Sequence, residues 1–293
     1  MSTVSQANFL LIDGVLRPGA IARLYQRGEP LDIVPLYMGT RWAGLHDLGP
    51  ILVSPQGPSS LLDETRANAA RQADACLLSS SAPINAVAHH LRRFLAPADV
   101  LGGVGLLRFA DPLVARYWLG SYRDAHLDAI LGPIDAWHAP EIPHAWEPAQ
   151  PLRWCSSVRT APAPEWVDTH AQLGDLQLNA LDQAARWRFM EQLHQGLRQD
   201  HPQPLARIDN SQLSQWFDER FDEARAWGLA SDRSLAIWVE YSLRWGDGFT
   251  QRPDGPYQQW LARSPDALTL APELRLQQMD EACVDIELNK EVS

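Results

Sequence analysis

The residues that most resemble a catalytic motif are Asp13 and Gly14, which follow the apolar run Leu10-Leu-Ile. In one class of phosphoryl-transfer enzymes a nucleophilic aspartate ends such a run, and a second aspartate stands two positions later, before a glycine. Asp13 holds the second position, but Leu11 occupies the position of the nucleophile. Because leucine cannot attack a phosphoryl group, we predict that Asp13 and Gly14 form a turn at the end of a strand.

Glycine and serine clusters elsewhere in the chain do not complete a catalytic motif. A dinucleotide-binding loop follows a strand and opens a helix, whereas the glycines at 102–105 precede an apolar run. The serines at 79–81 lack the flanking glycines of a nucleophile elbow. We therefore expect no catalytic residue and no cofactor, and the chain is predicted not to be an enzyme.

Two histidines and a glutamate near the middle of the chain are of the types that bind metal ions. They are His138, Glu141 and His144. A metal site needs about three such ligands in one orientation. Prolines break the segment, so no helix fixes the spacing of the three side chains. We therefore expect no metal ion here.

The charge balance argues against several classes of partner. The net charge is −11, and of the 25 lysines and arginines only Lys290 is a lysine. An acidic chain is a poor ligand for nucleic acid, and the lack of internal lysines removes phosphate-loop and Schiff-base chemistry. No stretch approaches the ~20 apolar residues that span a bilayer. We expect neither a nucleic acid nor a membrane as partner.

Cysteine usage and the first residues predict the compartment. Cys76, Cys155 and Cys283 lie far apart, which is not the pattern of a disulfide framework. Residues 1–8 contain no positively charged segment like that of a signal peptide, and they lead directly into an apolar run. Both features predict a cytoplasmic protein.

Six short apolar runs, bounded by Gly, Pro, Asp or Ser, predict the strands that would position these residues. Segments of helical period separate them, and the clearest helix is 83–95. Such alternation predicts an α/β lobe with a mixed, largely parallel sheet and flanking helices. The predicted strands are 9–12, 32–37, 50–53, 75–79, 104–109 and 134–138.

The pattern changes in the second half of the chain. Six prolines lie between residues 139 and 165, and proline continues neither helices nor central strands. From about residue 175 apolar residues recur every three or four positions, which predicts an all-α lobe. We predict an α/β domain at 1–140, a proline-rich connection at 141–168 and a helical domain at 169–293.

The polar face of helix 83–95 is the main candidate for a contact surface. Apolar residues share one face of this helix, which leaves His89, His90, Arg92 and Arg93 on the other. Arginine suits carboxylates on a partner, although an ordinary solvated face would have the same composition. Arg41 and Trp42 are further candidates, because arginine and tryptophan are enriched at protein interfaces. Most of the twelve tryptophans are expected in cores.

Six segments, taken together, resemble a family of domains of unknown function that contains the effector chaperones, or adaptors, of the type VI secretion system. The resemblance covers roughly residues 7–140 and depends on the order and spacing of its segments rather than on any one of them. The segments are Leu10-Leu-Ile-Asp-Gly14, Pro35-Leu-Tyr37, Leu48-Gly-Pro-Ile-Leu-Val53, Leu77-Leu-Ser-Ser-Ser81, Leu107-Arg-Phe-Ala-Asp-Pro112 and Leu131-Gly-Pro-Ile134.

The resemblance implies a non-enzymatic, cytoplasmic adaptor. Such a protein would bind a toxic effector and help to load it onto the VgrG-type spike protein of the secretion apparatus. The family offers no catalytic residues to compare. The alternatives are an α/β enzyme, hydrolase-like, with an active site built from scattered residues, and a secreted toxin or its immunity protein.

Overall fold

One sheet organises the first part of the computed structural model, which describes residues 4–148, 151 and 153–291, with side chains to residue 284. The order of its strands is β2-β3-β1-β4-β5-β6, so β2 and β6 form the edges. The prediction for β4 is confirmed residue for residue, and those for β1, β2, β3 and β5 are confirmed with shifted ends. The strands are β1 (Phe9–Asp13), β2 (Leu31–Pro35), β3 (Pro50–Pro55), β4 (Ala75–Ser79), β5 (Ala136–Glu141) and β6 (Arg153–Val158).

The helices lie between the strands in the first part of the chain and follow one another in the second. Those before β6 are α1 (Ala20–Gln26), α2 (Leu61–Ala67), α3 (Ala69–Gln72), α4 (Ile84–Leu91), α5 (Pro112–Gly120) and α6 (Asp124–Leu131). Those after β6 are α7 (Asp175–Asp200), α8 (Pro202–Leu205), α9 (Leu213–Trp227), α10 (Asp232–Trp245), α11 (Pro256–Arg263) and α12 (Pro272–Glu291).

All neighbouring strands are antiparallel, so the prediction of a mixed, largely parallel sheet is wrong. Strands β1 and β2 do run in the same direction across α1, but β3 lies between them. In the same way β1 separates β3 from β4. The prediction was wrong because the central strands β1 and β4 are buried along their whole length. Their sequences therefore lack the alternation of apolar and polar residues that is typical of antiparallel strands.

Each face of the sheet contributes to a core. Leu10 and Ile12 of β1 pack on one face with Leu24 of α1 and Leu61 of α2. Alternation along the strand turns Leu11 to the opposite face, where it is also buried. The β5 side of that face carries a cluster of aromatic rings with centroids 5.3–6.4 Å apart. The cluster contains Phe94, Phe109, Trp118 and Trp137.

The strand predicted at 104–109 does not exist. Leu107 and Phe109 are buried, but Phe109 is buried by the aromatic cluster rather than by strand neighbours. Before them, the side chain of Asp99 accepts the N–H groups of Leu101 and Gly103 and closes a turn. The apolar run beside these glycines has the pattern of a strand, but it forms a loop in which Val104 and Leu106 are exposed.

The chain divides into two compact units, one of residues 1–143 with 149–185 and one of residues 144–148 with 186–293. Part of the predicted connection at 141–168 forms β6, which pairs with β5. Its residues 149, 150 and 152, like residues 1–3 of the predicted first domain, lie outside the described residues. The predicted bounds 1–140, 141–168 and 169–293 stay a prediction.

The second unit is helical, as the period of its apolar residues predicts. Ser231 caps α10 by accepting the N–H of Ser234, and α9 ends at Gly228, which has a φ of 103°. A buried arginine, Arg220 of α9, pairs with Glu223 at 2.7 Å and with Asp247 in the turn after α10. All twelve tryptophans of the chain are buried or half-buried, as expected for core residues.

The two cysteines of the sheet should differ in reactivity. Burial in β4 raises the pKa of the Cys76 thiol to about 12, whereas Cys155 in β6 is half-buried. Iodoacetamide at pH 8 should therefore alkylate Cys155 in the native protein and reach Cys76 only after unfolding in guanidinium, because the thiolate is the nucleophile. Peptide mass spectrometry measures the alkylation of each cysteine. Alkylation of Cys76 in the native protein at the rate of Cys155 would contradict the burial of β4.

Candidate partner-binding surface

Asp13 is a buried carboxylate at the end of β1, only 4% exposed. Its Oδ1 accepts the N–H groups of Val15 at 2.9 Å and Leu16 at 3.0 Å, which confirms the predicted turn. The same carboxylate is bound by Arg108, whose Nη2 lies 3.0 Å from Oδ1 and whose Nε lies 3.3 Å from Oδ2. Its charge thus has partners on both oxygens.

Arg108 joins this turn to the start of α5. Its Nη2 lies 3.3 Å from the carboxylate of Asp111, which is fully buried. Asp111 also caps α5, because its Oδ1 accepts the N–H of Leu113 at 3.1 Å. Segments nearly a hundred positions apart in the chain are therefore fastened by one guanidinium. We call Asp13, Arg108 and Asp111 the carboxylate–arginine network.

The connection between β2 and β3, residues 36–49, packs against the same turn. A Cβ on Gly14 would overlap the backbone of residues 47–49, and a Cβ on Gly49 would come within 2.6 Å of the ring of Tyr37. Only glycine allows both close approaches. Burial, with a smaller contribution from Asp13, raises the pKa of Tyr37. The connection is thus packed closely on the turn after β1, and we call this packed contact its base.

Five large apolar side chains on this base are between 39 and 50% exposed. Arg41 and Trp42 lie on the same connection, with the Arg41 guanidinium 4.3 Å from the ring of Trp42. The Trp42 ring in turn lies 5.8 Å from the ring of Tyr37. We call these seven residues the loop surface. They are Val15, Leu16, Met38, Arg41, Trp42, Leu45 and Leu48.

Of the candidates on helix 83–95, Arg92 is hydrogen-bonded to the loop connection. Its Nε donates to the carbonyl of Leu36 at 3.0 Å, and burial lowers the pKa of its guanidinium. His89 is exposed on α4. The predicted polar face is not one surface, because α4 ends at Leu91 and the chain continues as a 3-10 turn through Arg92–Phe94.

His90 lies in the core, so the prediction that it faces outward is wrong. Its Nε2 is 2.8 Å from the carbonyl of Ile130, and its ring makes edge contacts with Phe94 and Trp166. Gly132, with a φ of 55°, leaves the space that the imidazole fills. Arg93 lies beside this ring and stacks on Trp166, with its guanidinium 4.6 Å from the indole.

The three side chains weighed as metal ligands each have other partners. His138 is buried in β5 and its Nδ1 is 2.7 Å from Ser156. Glu141 pairs with arginines of α5 and β6, and His144 bonds Glu191 at 2.7 Å. Within the described residues no group of three His, Cys, Asp or Glu side chains could hold a metal ion.

Sequence reasoning identified Arg41 and Trp42 but missed the rest of the loop surface. The missed signal was the set of apolar residues Met38, Leu45 and Leu48 in the connection 36–49, which contains Gly39, Gly44 and Gly49. Residues between turn-forming glycines are usually polar, so apolar side chains there indicate exposed contacts. Arg108 and Asp111 lie in one of the six segments that carry the family resemblance. No pattern within that segment predicts that they bind Asp13.

Comparison with known proteins gave one match, to a family model. Residues 8–129 match the model of a family described as a domain of unknown function (DUF4123), which is less than half of the chain. The match includes the carboxylate–arginine network and the whole loop surface. No curated protein matches the chain. No solved structure matches it either. In the described residues, none of the helices has the length and apolar character to cross a membrane.

Replacing Arg108 by methionine should lower the free energy of unfolding by about 2 kcal/mol, because a buried carboxylate loses a charged donor. The matched control is Arg153→Met, which removes a mostly exposed arginine of an ion pair. This change should lower the free energy of unfolding only slightly. Urea unfolding of both variants measures the difference. Equal stabilities would show that Asp13 does not depend on Arg108.

His90 should make stability depend on pH. Burial is the main reason that its pKa falls from an ordinary value of 6.5 to about 4. The unfolded chain therefore binds the proton more readily, and the unfolding free energy contributed by neutral His90 is present above pH 6.5 and lost as pH falls toward 4. Between pH 6.5 and pH 4 the free energy of unfolding of the wild type should fall by about 3 kcal/mol more than that of His90→Gln. Parallel pH curves for the two proteins would contradict the burial of His90.

Proposed function

We propose that this protein is a non-enzymatic adaptor of the type VI secretion system. It binds a toxic effector in the cytoplasm and helps to load it onto a VgrG-type spike protein. The observation that carries the proposal is the loop surface, where exposed apolar side chains, a tryptophan and an arginine stand on a base held by the carboxylate–arginine network. The surface lies within the residues that match the family model.

The composition of the loop surface suits a protein partner. Tryptophan and arginine are the residue types most enriched among the side chains that dominate binding energy, and apolar neighbours exclude water around them. Scattered apolar residues are normal on a protein surface, but five on adjoining loops indicate an interaction site. The fixed base favours binding as well, because little loop entropy remains to be lost.

The matched family supports the particular role, since it is associated with effector chaperones of type VI secretion. An adaptor without catalytic groups acts on its cargo only through binding free energy. Binding stabilises the bound form of the effector by about 2.7 kcal/mol when free adaptor is at about a hundred times its dissociation constant. Loss of the adaptor should then reduce effector abundance or its attachment to the spike, while the apparatus still fires.

The double change Leu45→Ser with Leu48→Ser should weaken effector capture about tenfold or more, because it removes apolar area from the loop surface. The test is complementation of a deletion strain, with secretion of the effector and of a structural component measured together. We expect the variant to lose effector secretion and to keep secretion of the structural component.

The matched control is Leu268→Ser with Leu274→Ser, which changes two similarly exposed leucines of the helical unit. It should restore effector secretion fully. Full restoration by the loop variant would contradict the role of the loop surface. Loss of both secreted proteins in the deletion strain would place this protein in the apparatus itself, and loss of neither would contradict the adaptor function.

A further inference from the structure

The two edges of the sheet differ in how they are protected. Natural edge strands avoid pairing with other chains by carrying charges or proline. Edge strand β2 has both, in the exposed Asp32 and in Pro35. Edge strand β6 has neither after Arg153, its first residue. In the described part of the chain, the backbone of residues 154–158 makes no hydrogen bond other than those to β5. Among the described residues, the outer N–H and C=O groups of residues 154–158 therefore have no backbone partner.

A groove lies beside this open edge. A concavity of about 540 Å³ is lined by Trp137 and Ala139 of β5, by Cys155 and Ser157 of β6 and by the helices α5 and α6. A second concavity of about 450 Å³ shares three of its lining residues and therefore adjoins it. The shared residues are Arg116, Gly120 and Arg123.

The groove is basic, although the protein is acidic overall. None of its lining residues carries a carboxylate, in a chain of net charge −11. Arg116 keeps an ion pair with Glu141 at 2.9 Å. Arg123 is exposed and donates its Nη1 to the carbonyls of Gly120 and Tyr122, and among the described residues it pairs with no carboxylate. Both of these hydrogen bonds use only the Nη1 of Arg123.

We propose that β6 and this groove bind an extended segment of a protein partner, which adds to the sheet as a seventh strand and places a carboxylate against Arg123. Side chains of an added strand point alternately to the two faces of the sheet, so every second residue would enter the groove. Main-chain pairing to β6 would supply affinity, and the half-buried Leu127 would accept an apolar neighbour of the carboxylate. The inference deepens the proposed function by naming a second contact and its chemistry.

Gly120 provides a variant that fills the groove without disturbing the fold. It is the last residue of α5, it has no positive φ, and an added Cβ would meet no atom within 4 Å. Gly120→Trp should therefore occupy the groove and leave the melting temperature unchanged. Arg123→Glu reverses the charge proposed to bind the partner. Its matched control is Arg23→Glu, another exposed arginine that donates to backbone carbonyls.

The experiment is a selection of random octapeptides displayed on phage against the full chain, with counter-selection against Gly120→Trp. We expect enriched peptides with an aspartate or glutamate and with β-branched or apolar residues at alternate positions. A synthetic peptide of the enriched sequence should bind about tenfold or more weakly to Arg123→Glu and to Gly120→Trp, and equally to wild type and Arg23→Glu. Bound peptide should slow alkylation of Cys155 and protect the amides of residues 153–158 from exchange.

Several results would overturn the proposal. They are enrichment of no peptide over the counter-selection, enriched peptides without acidic residues, or equal weakening by Arg23→Glu and Arg123→Glu. Concentration-dependent dimers that protect β6 would instead assign the edge to a second copy of this chain. The proposed function fails separately, because it is tested through Leu45 and Leu48 in the secretion assay and not through peptide binding.

Discussion

The buried carboxylate of Asp13 is the constraint on which the candidate surface depends. Its two oxygens accept the N–H groups of the turn after β1 and the guanidinium of Arg108, which also contacts the cap of α5. An unpaired carboxylate in such a place would be costly, so the segments that supply its donors are held together. The β2–β3 connection packs on the same turn through Gly14 and Gly49, where no side chain would fit.

The helical unit uses the same kind of interaction. Arg220 is buried in α9 and binds Glu223 as well as Asp247 in the turn between Gly246 and Gly248. In both units one arginine binds a carboxylate three residues away and a second one that is distant in the chain, Asp13 for Arg108 and Asp247 for Arg220, and so fixes a loop. Arginine suits this role because its planar group donates to several acceptors at once. The chain, with one lysine among its basic residues, has the composition that such loop anchoring requires.

Two surfaces of the first unit have different physical character. The loop surface is apolar and stands on a close-packed base, so it suits contacts whose energy comes from excluding water. The β6 edge offers unpaired backbone and a basic groove, so it suits an extended, acidic segment. The proposed adaptor function requires contacts with cargo and with the apparatus, and two surfaces of unlike chemistry would allow both without competition.

Most of the strands and helices, the helical second half and the turn at Asp13 were predictable from the sequence, because they follow from the spacing of apolar residues and from turn-forming residues close together in the chain. The tertiary structure set the strand directions, since β3 lies between β1 and β2 and pairs antiparallel with both. It also decided that 104–109 is a loop, because aromatic rings distant in the chain bury Phe109. His90 was placed in the core by Gly132, and Asp13 was paired with Arg108, through contacts that no local pattern records.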